Sequence, residues 1–147
     1  MNIRWRKAIA VSKLIEPGGR CGEMLPAKIG IYRFRVPETH SMHAGEVIYI
    51  GKVGGGRGED RHLRRRIGEF IGAALGFEIP HSGGISFWDK GNSHRLWAQD
   101  LEVEVFPTSD PTCAELAAFR EFEESTGKPS PRLNKVLPRR RCKKHSG

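Results

Sequence analysis

Glu115 stands where an ionised carboxylate is out of place. On the helix expected from Asp110 to about Ser125, the residues Leu116, Ala118, Phe119 and Phe122 define an apolar stripe. Glu115 lies four residues before Phe119 and seven before Phe122, which puts it on that stripe, whereas Glu121 and Glu124 point the other way. A carboxylate on an inner face costs free energy unless it is paired, protonated or bound to a metal. A salt bridge to an arginine, or exposure at the first helical turn, satisfies it as well as a cation does. Tyr32 and Tyr49 are the only tyrosines and fall in two successive strand-like segments. A phenol can orient a water or take its proton, but a strand tyrosine is more often a core residue with a satisfied hydroxyl. Arg64, Arg65 and Arg66 sit on one helical segment. A guanidinium fork suits phosphate oxygens, and a solvated basic face explains the same residues. Arg65 falls opposite the apolar stripe and Arg64 and Arg66 flank it; periodicity does not choose between those two.

The elements that must position these groups are legible in outline. Residues 16–26 form a turn-rich connection. In Gly30–Val36 the residues Tyr32, Phe34 and Val36 alternate with Ile31, Arg33 and Arg35, a strand signature. A polar loop with Pro37 and Gly45 leads to Glu46–Val53, apolar on both faces and therefore expected at the centre of the sheet. Strands joined by one loop most simply pair as an antiparallel hairpin. The run GGGRGED at 54–60 lacks the GK[ST] ending of a phosphate-binding loop and reads as a flexible connection. From Arg61 onward Leu63, Ile67, Phe70, Ile71 and Ala74 follow helical spacing. Residues 80–95 read as irregular, and Leu101–Phe106 as a half-exposed strand with Glu102 and Glu104 facing water. Asp110 followed by Pro111 is a cap and first-turn proline, and Gly127 is a stop. The order strand, strand, helix, strand, helix implies an α+β sandwich: a small, three-stranded, mainly antiparallel sheet flanked by helices.

Composition limits the partners. The net charge is +8 over 147 residues, with a pI near 9.8, which favours a polyanion. Lys135, Arg139, Arg140, Arg141, Lys143 and Lys144 supply most of it and leave about +2 for the rest of the chain. Residues 1–135 therefore read as the folded domain and 136–147 as a basic tail, which gives affinity for phosphate or simply solubility. Nothing approaches the length of a membrane span, and the basic N-terminal segment reads as part of the fold, not as a signal peptide. Cys21, Cys113 and Cys142 are odd in number and widely spaced, which argues against a disulfide framework or structural zinc and suggests a reducing cytoplasm.

Read together, the residues carry more. Gly30-Ile31-Tyr32 and Tyr49-Ile50-Gly51, followed by an arginine helix, a glutamate in a later helix and Pro131-Arg132-Leu133-Asn134, resemble the GIY-YIG nuclease superfamily over roughly residues 29–135. The resemblance implies a metal-dependent endonuclease that hydrolyses phosphodiester bonds in DNA. Tyr32 and Tyr49 match the motif tyrosines, Arg66 the family's helix arginine, and Lys52 a position often basic in its repair branch. Glu115 matches the metal-binding glutamate and Asn134 the asparagine that braces the site. The implied ion is Mg²⁺, with Mn²⁺ as its equivalent. Which tyrosine serves as base is left open; a phenol with a pKa of about 10 needs nearby cations such as Lys52, Arg66 or the metal to act at neutral pH.

The chain departs from the family's pattern in three longer connections. Phe70 also stands where many members carry a histidine, a role left to His81 or His62. A binding module that keeps the scaffold without cleavage is the rival reading. RNA stays open as a substrate, and there is room for a protein partner that supplies specificity.

Overall fold

The computed structural model describes residues 1–16, 21–54, 61–90, 94–135 and 137–138, without the side chains of Cys21 and Gly22. Most of the glycine-rich run after Val53 and the basic tail beyond Pro138 therefore lie outside the described residues. The elements in order are β1 (Ile9–Ala10), α1 (Val11–Leu14), α2 (Cys21–Met24), β2 (Gly30–Arg35), β3 (Val47–Val53), α3 (Leu63–Ala74), α4 (Ser82–Lys90), β4 (Glu102–Pro107) and α5 (Pro111–Thr126). A 3-10 turn at Ala98–Asp100 precedes β4.

The class is α+β, with a sheet of four strands, not three, in the order β1-β4-β2-β3, and every neighbouring pair is antiparallel. The additional strand is only two residues, pairing Ile9 with Val103 and Ala10 with Glu102, too short for alternation to register. β2 and β3 form the expected hairpin, but β3 is an edge strand, not a central one. Its apolarity on both faces reflects helices packed above and below the sheet, a property that an edge strand can share.

Register assigns the two faces. Tyr32 pairs with Gly51 and Val105, and Phe34 with Tyr49 and Val103. This side packs against Leu63, Ile67, Phe70 and Ile71 of α3 and Phe87 of α4. On the other side Ile31 and Ile50 meet Ala114, Ala118, Phe119 and Phe122 of α5. Glu104 lies on this second side and is buried, contrary to its expected exposure. It accepts from Arg33 at 2.9 Å, while Arg35 reaches Glu102 at 2.7 Å. Alternation alone cannot separate a solvated face from one on which charges are paired under a helix.

Residues 80–95 are not irregular throughout, since they contain α4. Gly83 and Gly84 weaken the helical signal, each by about 1 kcal/mol relative to alanine, yet packing requires both. A Cβ on Gly83 would strike the ring of Tyr49, and one on Gly84 would strike the Phe70 carbonyl and Ala73. α5 starts and stops where Asp110-Pro111 and Gly127 indicate, with Gly127 in the left-handed conformation at φ 74°. Cys113, buried on α5, is disulfide-bonded, although the odd number and wide spacing of the cysteines argue against a disulfide framework. Its partner lies outside the described side chains.

Candidate active site

The site is built on β3, an edge strand whose side chains alternate between the two helical layers. Tyr49 projects toward α3 and α4. Its ring lies 6.1 Å from that of Tyr32, 5.4 Å from Phe70 and 5.4 Å from His81. Two glycines make this stack possible. Gly51 carries no side chain because the Tyr32 ring lies directly over it, and Gly83 leaves space for Tyr49.

His81 is fully buried, and its Nε2 lies 2.8 Å from the Tyr32 hydroxyl. Its Nδ1 accepts from the Gly84 backbone N–H at 3.3 Å. With Nδ1 as acceptor, the neutral ring carries its proton on Nε2 and donates it to the Tyr32 oxygen. Burial, reinforced by the positive charge of Arg66, holds the His81 pKa down at about 3, so the ring is neutral at physiological pH. The Tyr32 hydroxyl is then free to point toward Tyr49, and Tyr32 and Ser82 both act to lower the Tyr49 pKa. Burial pushes Tyr32 well above the ordinary phenol range, and the Tyr49 charge adds to that shift. Burial also raises Tyr49, and the Glu115 charge adds to the rise, while Arg66, Tyr32 and Ser82 oppose it. Of the two phenols, Tyr49 is the less strongly raised and the one that lines a cleft.

Tyr49 opens into a cleft of about 300 Å³ that is also lined by Lys52, Ser82, Glu115 and Asn134. Glu115 reaches it from the first turns of α5, with its side chain 18% exposed and Lys52 Nζ 4.0 Å away. Burial raises the Glu115 pKa and Lys52 partly offsets it. Ordinary exposure at a helix start does not describe this carboxylate, and its ion pair is at the outer limit of contact.

Asn134 braces the strand from outside. Its Oδ1 accepts from Ile50 N–H at 3.0 Å and its Nδ2 donates to Ile50 O at 2.8 Å. Leu133 N–H adds a bond to Ile48 O at 3.2 Å. Residues 133–134 thus satisfy the β3 edge much as another strand would. Leu137 and Pro138 also line the cleft.

The arginines separate by contact. Arg64 Nε donates to Leu25 O at 3.0 Å, and Arg65 is exposed. Arg66 makes long contacts, 3.4 Å to Glu69 and 3.3 Å to Pro80 O, and its charge acts on both tyrosines and His81. Arg66 is not part of the cleft wall itself, and Tyr32 lies beneath Tyr49. Tyr49, Lys52, Glu115 and Asn134 share the cleft directly. His62 is the α3 cap, accepting from Arg65 N–H; His81 is the histidine beside the tyrosines. Ser82 had no motif to mark it, because its placement depends on α4.

No group of three or more His, Cys, Asp or Glu side chains that could hold a metal occurs among the described residues. A lone, partly desolvated carboxylate opening on a polar cleft fits an ion that keeps most of its waters, as Mg²⁺ does. No family model matches the chain, and no match was found among curated proteins or solved structures.

Proposed function

We propose that this chain is a metal-dependent endonuclease of the GIY-YIG type that hydrolyses phosphodiester bonds in DNA. The observation that carries the reading is the convergence of Tyr49, Lys52 and Glu115 on one cleft, beside the Arg66 charge and against a strand braced by Asn134. Glu115 would hold a Mg²⁺ or Mn²⁺ ion, whose chemistry when bound is to offset charge gathering on the phosphate and the departing oxygen. Arg66 binds a non-bridging oxygen through its guanidinium. Tyr49 orients the attacking water in line with the bond that breaks and takes its proton. Tyr32 donates to the Tyr49 oxygen and so favours its ionised form, with His81 fixing the direction of that hydrogen bond. Lys52 adds positive charge where the phosphate must approach Glu115.

The excess positive charge favours a polyanion, which the nuclease reading takes to be DNA; a cytoplasmic setting belongs to the same reading, and the disulfide at Cys113 is the feature that runs against a reducing compartment. No helix among the described residues is long and apolar enough to cross a membrane. A protein partner that supplies sequence specificity belongs to the same reading.

The test is nicking of supercoiled plasmid by purified protein in Mg²⁺. Cleavage that stops in excess EDTA and returns with Mg²⁺ or Mn²⁺ is expected. Undiminished cleavage in chelator overturns the role of Glu115, and binding without cleavage in any metal leaves the non-catalytic module. A parallel arm with RNA of the same sequence decides the sugar.

A further inference from the structure

We infer that the α3–α4 turn and the outer face of α4 form a stacking surface for unpaired nucleobases that adjoins the cleft. The inference rests on the nuclease reading and extends it to the form of the substrate.

Four large apolar side chains are exposed in this one region: Phe77 at 66%, Trp97 at 56%, Trp88 at 54% and Ile85 at 41%. Two of the three tryptophans in the chain are among them. Phe77, Ile85 and Trp88 share an open groove of about 480 Å³ that continues along Ile79 and Pro80. A second depression joins Trp88 to Trp97. Trp88 is firmly mounted: its ring lies against Gly76, whose φ of 95° and lack of a side chain permit the contact. A rigid aromatic plane loses little entropy when a ligand stacks on it.

The occupant follows from what lies at each end. The groove runs into Pro80, whose carbonyl accepts from Arg66, and α4 begins at Ser82 in the cleft wall. Among the described residues that line the groove Glu78 is the one ionisable side chain, so the groove suits uncharged rings, while the cations stand at the cleft. Cations for the phosphates beside aromatic planes for the bases is the pattern that binds a single strand. The nine residues of α4 span about 13 Å, room for three or four bases spaced about 3.4 Å apart. A strand with its scissile phosphate in the cleft would lay its neighbouring unpaired bases along this face.

The experiment measures, in EDTA, the affinity of a labelled single-stranded 20-mer and of its blunt duplex for wild type, Phe77→Ala, Trp88→Ala and Trp88→Phe. Phe77 is so exposed that its variant tests binding without risk to folding. Phe77→Ala and Trp88→Ala should each weaken single-strand binding about fivefold or more. Duplex binding should change less than twofold, the salt dependence should stay as steep because no charge is removed, and Trp88→Phe should restore most of the affinity. Single-strand affinity unchanged in both alanine variants, or an equal loss on duplex, overturns the inference and leaves the surface to a protein partner. Should wild type bind neither form nor nick plasmid, the nuclease reading falls with it; normal nicking with silent aromatic variants sinks only the stacking surface.

Discussion

His81 Nε2 and the Tyr32 hydroxyl meet at 2.8 Å in a site from which solvent is excluded. The two residues are 49 positions apart, and the contact makes a histidine from an unmarked turn part of the tyrosine pair. Because His81 Nδ1 is occupied by the Gly84 N–H, the polarity of the contact is fixed from the histidine outward: Nε2–H donates to the Tyr32 oxygen, which leaves the Tyr32 proton free to point toward Tyr49. A network with one direction distinguishes two otherwise similar phenols.

His81 should impose an acid limb on stability. Its folded pKa of about 3 lies below the ordinary 6.5, so between those values the unfolded chain binds a proton that the folded chain excludes. Stability is therefore nearly complete above pH 6.5 and falls as pH drops through that window, by on the order of 3 kcal/mol by pH 4.5 from this group. His81→Gln, which does not titrate, should be less stable than wild type at pH 7.5 but should lose less on acidification. Urea midpoints at pH 7.5 and 4.5 check this; parallel losses in both proteins would place the acid sensitivity elsewhere.

The tyrosines should respond unequally. Tyr49→Phe removes the group that faces the cleft and should lower cleavage by at least about 100-fold, the lower range for loss of a general base. Tyr32→Phe removes one hydrogen bond to Tyr49 and should cost less, on the order of tenfold. Because burial raises the Tyr49 pKa above that of a free phenol, the ionised fraction grows throughout the neutral range. The logarithm of the wild-type rate should rise with a slope near one from pH 7 to 9. A flat profile, or a Tyr32→Phe defect larger than that of Tyr49→Phe, would move the base away from Tyr49.

Much of this arrangement was legible in the chain because it depends on local spacing. Alternation around Tyr32 and helical periodicity around Glu115 defined their elements, and Asp110-Pro111 and Gly127 bounded α5. What was hidden depends on contacts across the fold. α4 is obscured by Gly83 and Gly84, which are poor helix formers retained for close approach to Tyr49 and α3. Glu104 carries the pattern of an exposed strand residue but is neutralised beneath α5 by Arg33. Arg64 and Arg66 have equivalent positions in the period, and only their partners, Leu25 O for one and the tyrosine pair for the other, separate them. His81 belongs to no repeating pattern.

The basic tail should contribute affinity and not chemistry. Since Leu137 and Pro138 line the cleft, the informative truncation removes residues 139–147, which carry Arg139, Arg140, Arg141, Lys143 and Lys144. DNA affinity should fall and its dependence on salt should become shallower, because fewer counterions are released. Turnover at saturating DNA should largely survive. An unchanged salt slope in a titration from 50 to 200 mM salt would remove the tail from the interface.

Two glutamates of α5 separate the site from its scaffold. Glu115 faces the cleft, and Glu121, on another side of the helix, is not a bare surface residue: it accepts from Trp5 Nε1 at 3.1 Å and from Arg33 at 3.2 Å. Its side chain is 43% exposed, so solvent screens the ion pair. Glu121→Gln keeps one acceptor oxygen and should lower stability by only about 0.5–1 kcal/mol, with cleavage unaffected. Glu115→Gln should abolish cleavage because the charge that holds the cation is gone, while DNA binding persists or strengthens as repulsion of phosphate is relieved. Its stability should move the opposite way. Burial raises the Glu115 pKa, so the folded state binds a proton more tightly than the unfolded chain, and ionisation destabilises the fold as pH rises through the raised value. Glu115→Gln should thus be at least as stable as wild type at pH 7, and any advantage should vanish below the usual carboxylate range. Melting temperatures at pH 7 and pH 4, read beside plasmid nicking, test both halves at once. A Glu115→Gln protein that still cleaves would remove the carboxylate from the metal site, and an inactive but folded Glu121→Gln protein would move the chemistry to the opposite side of α5.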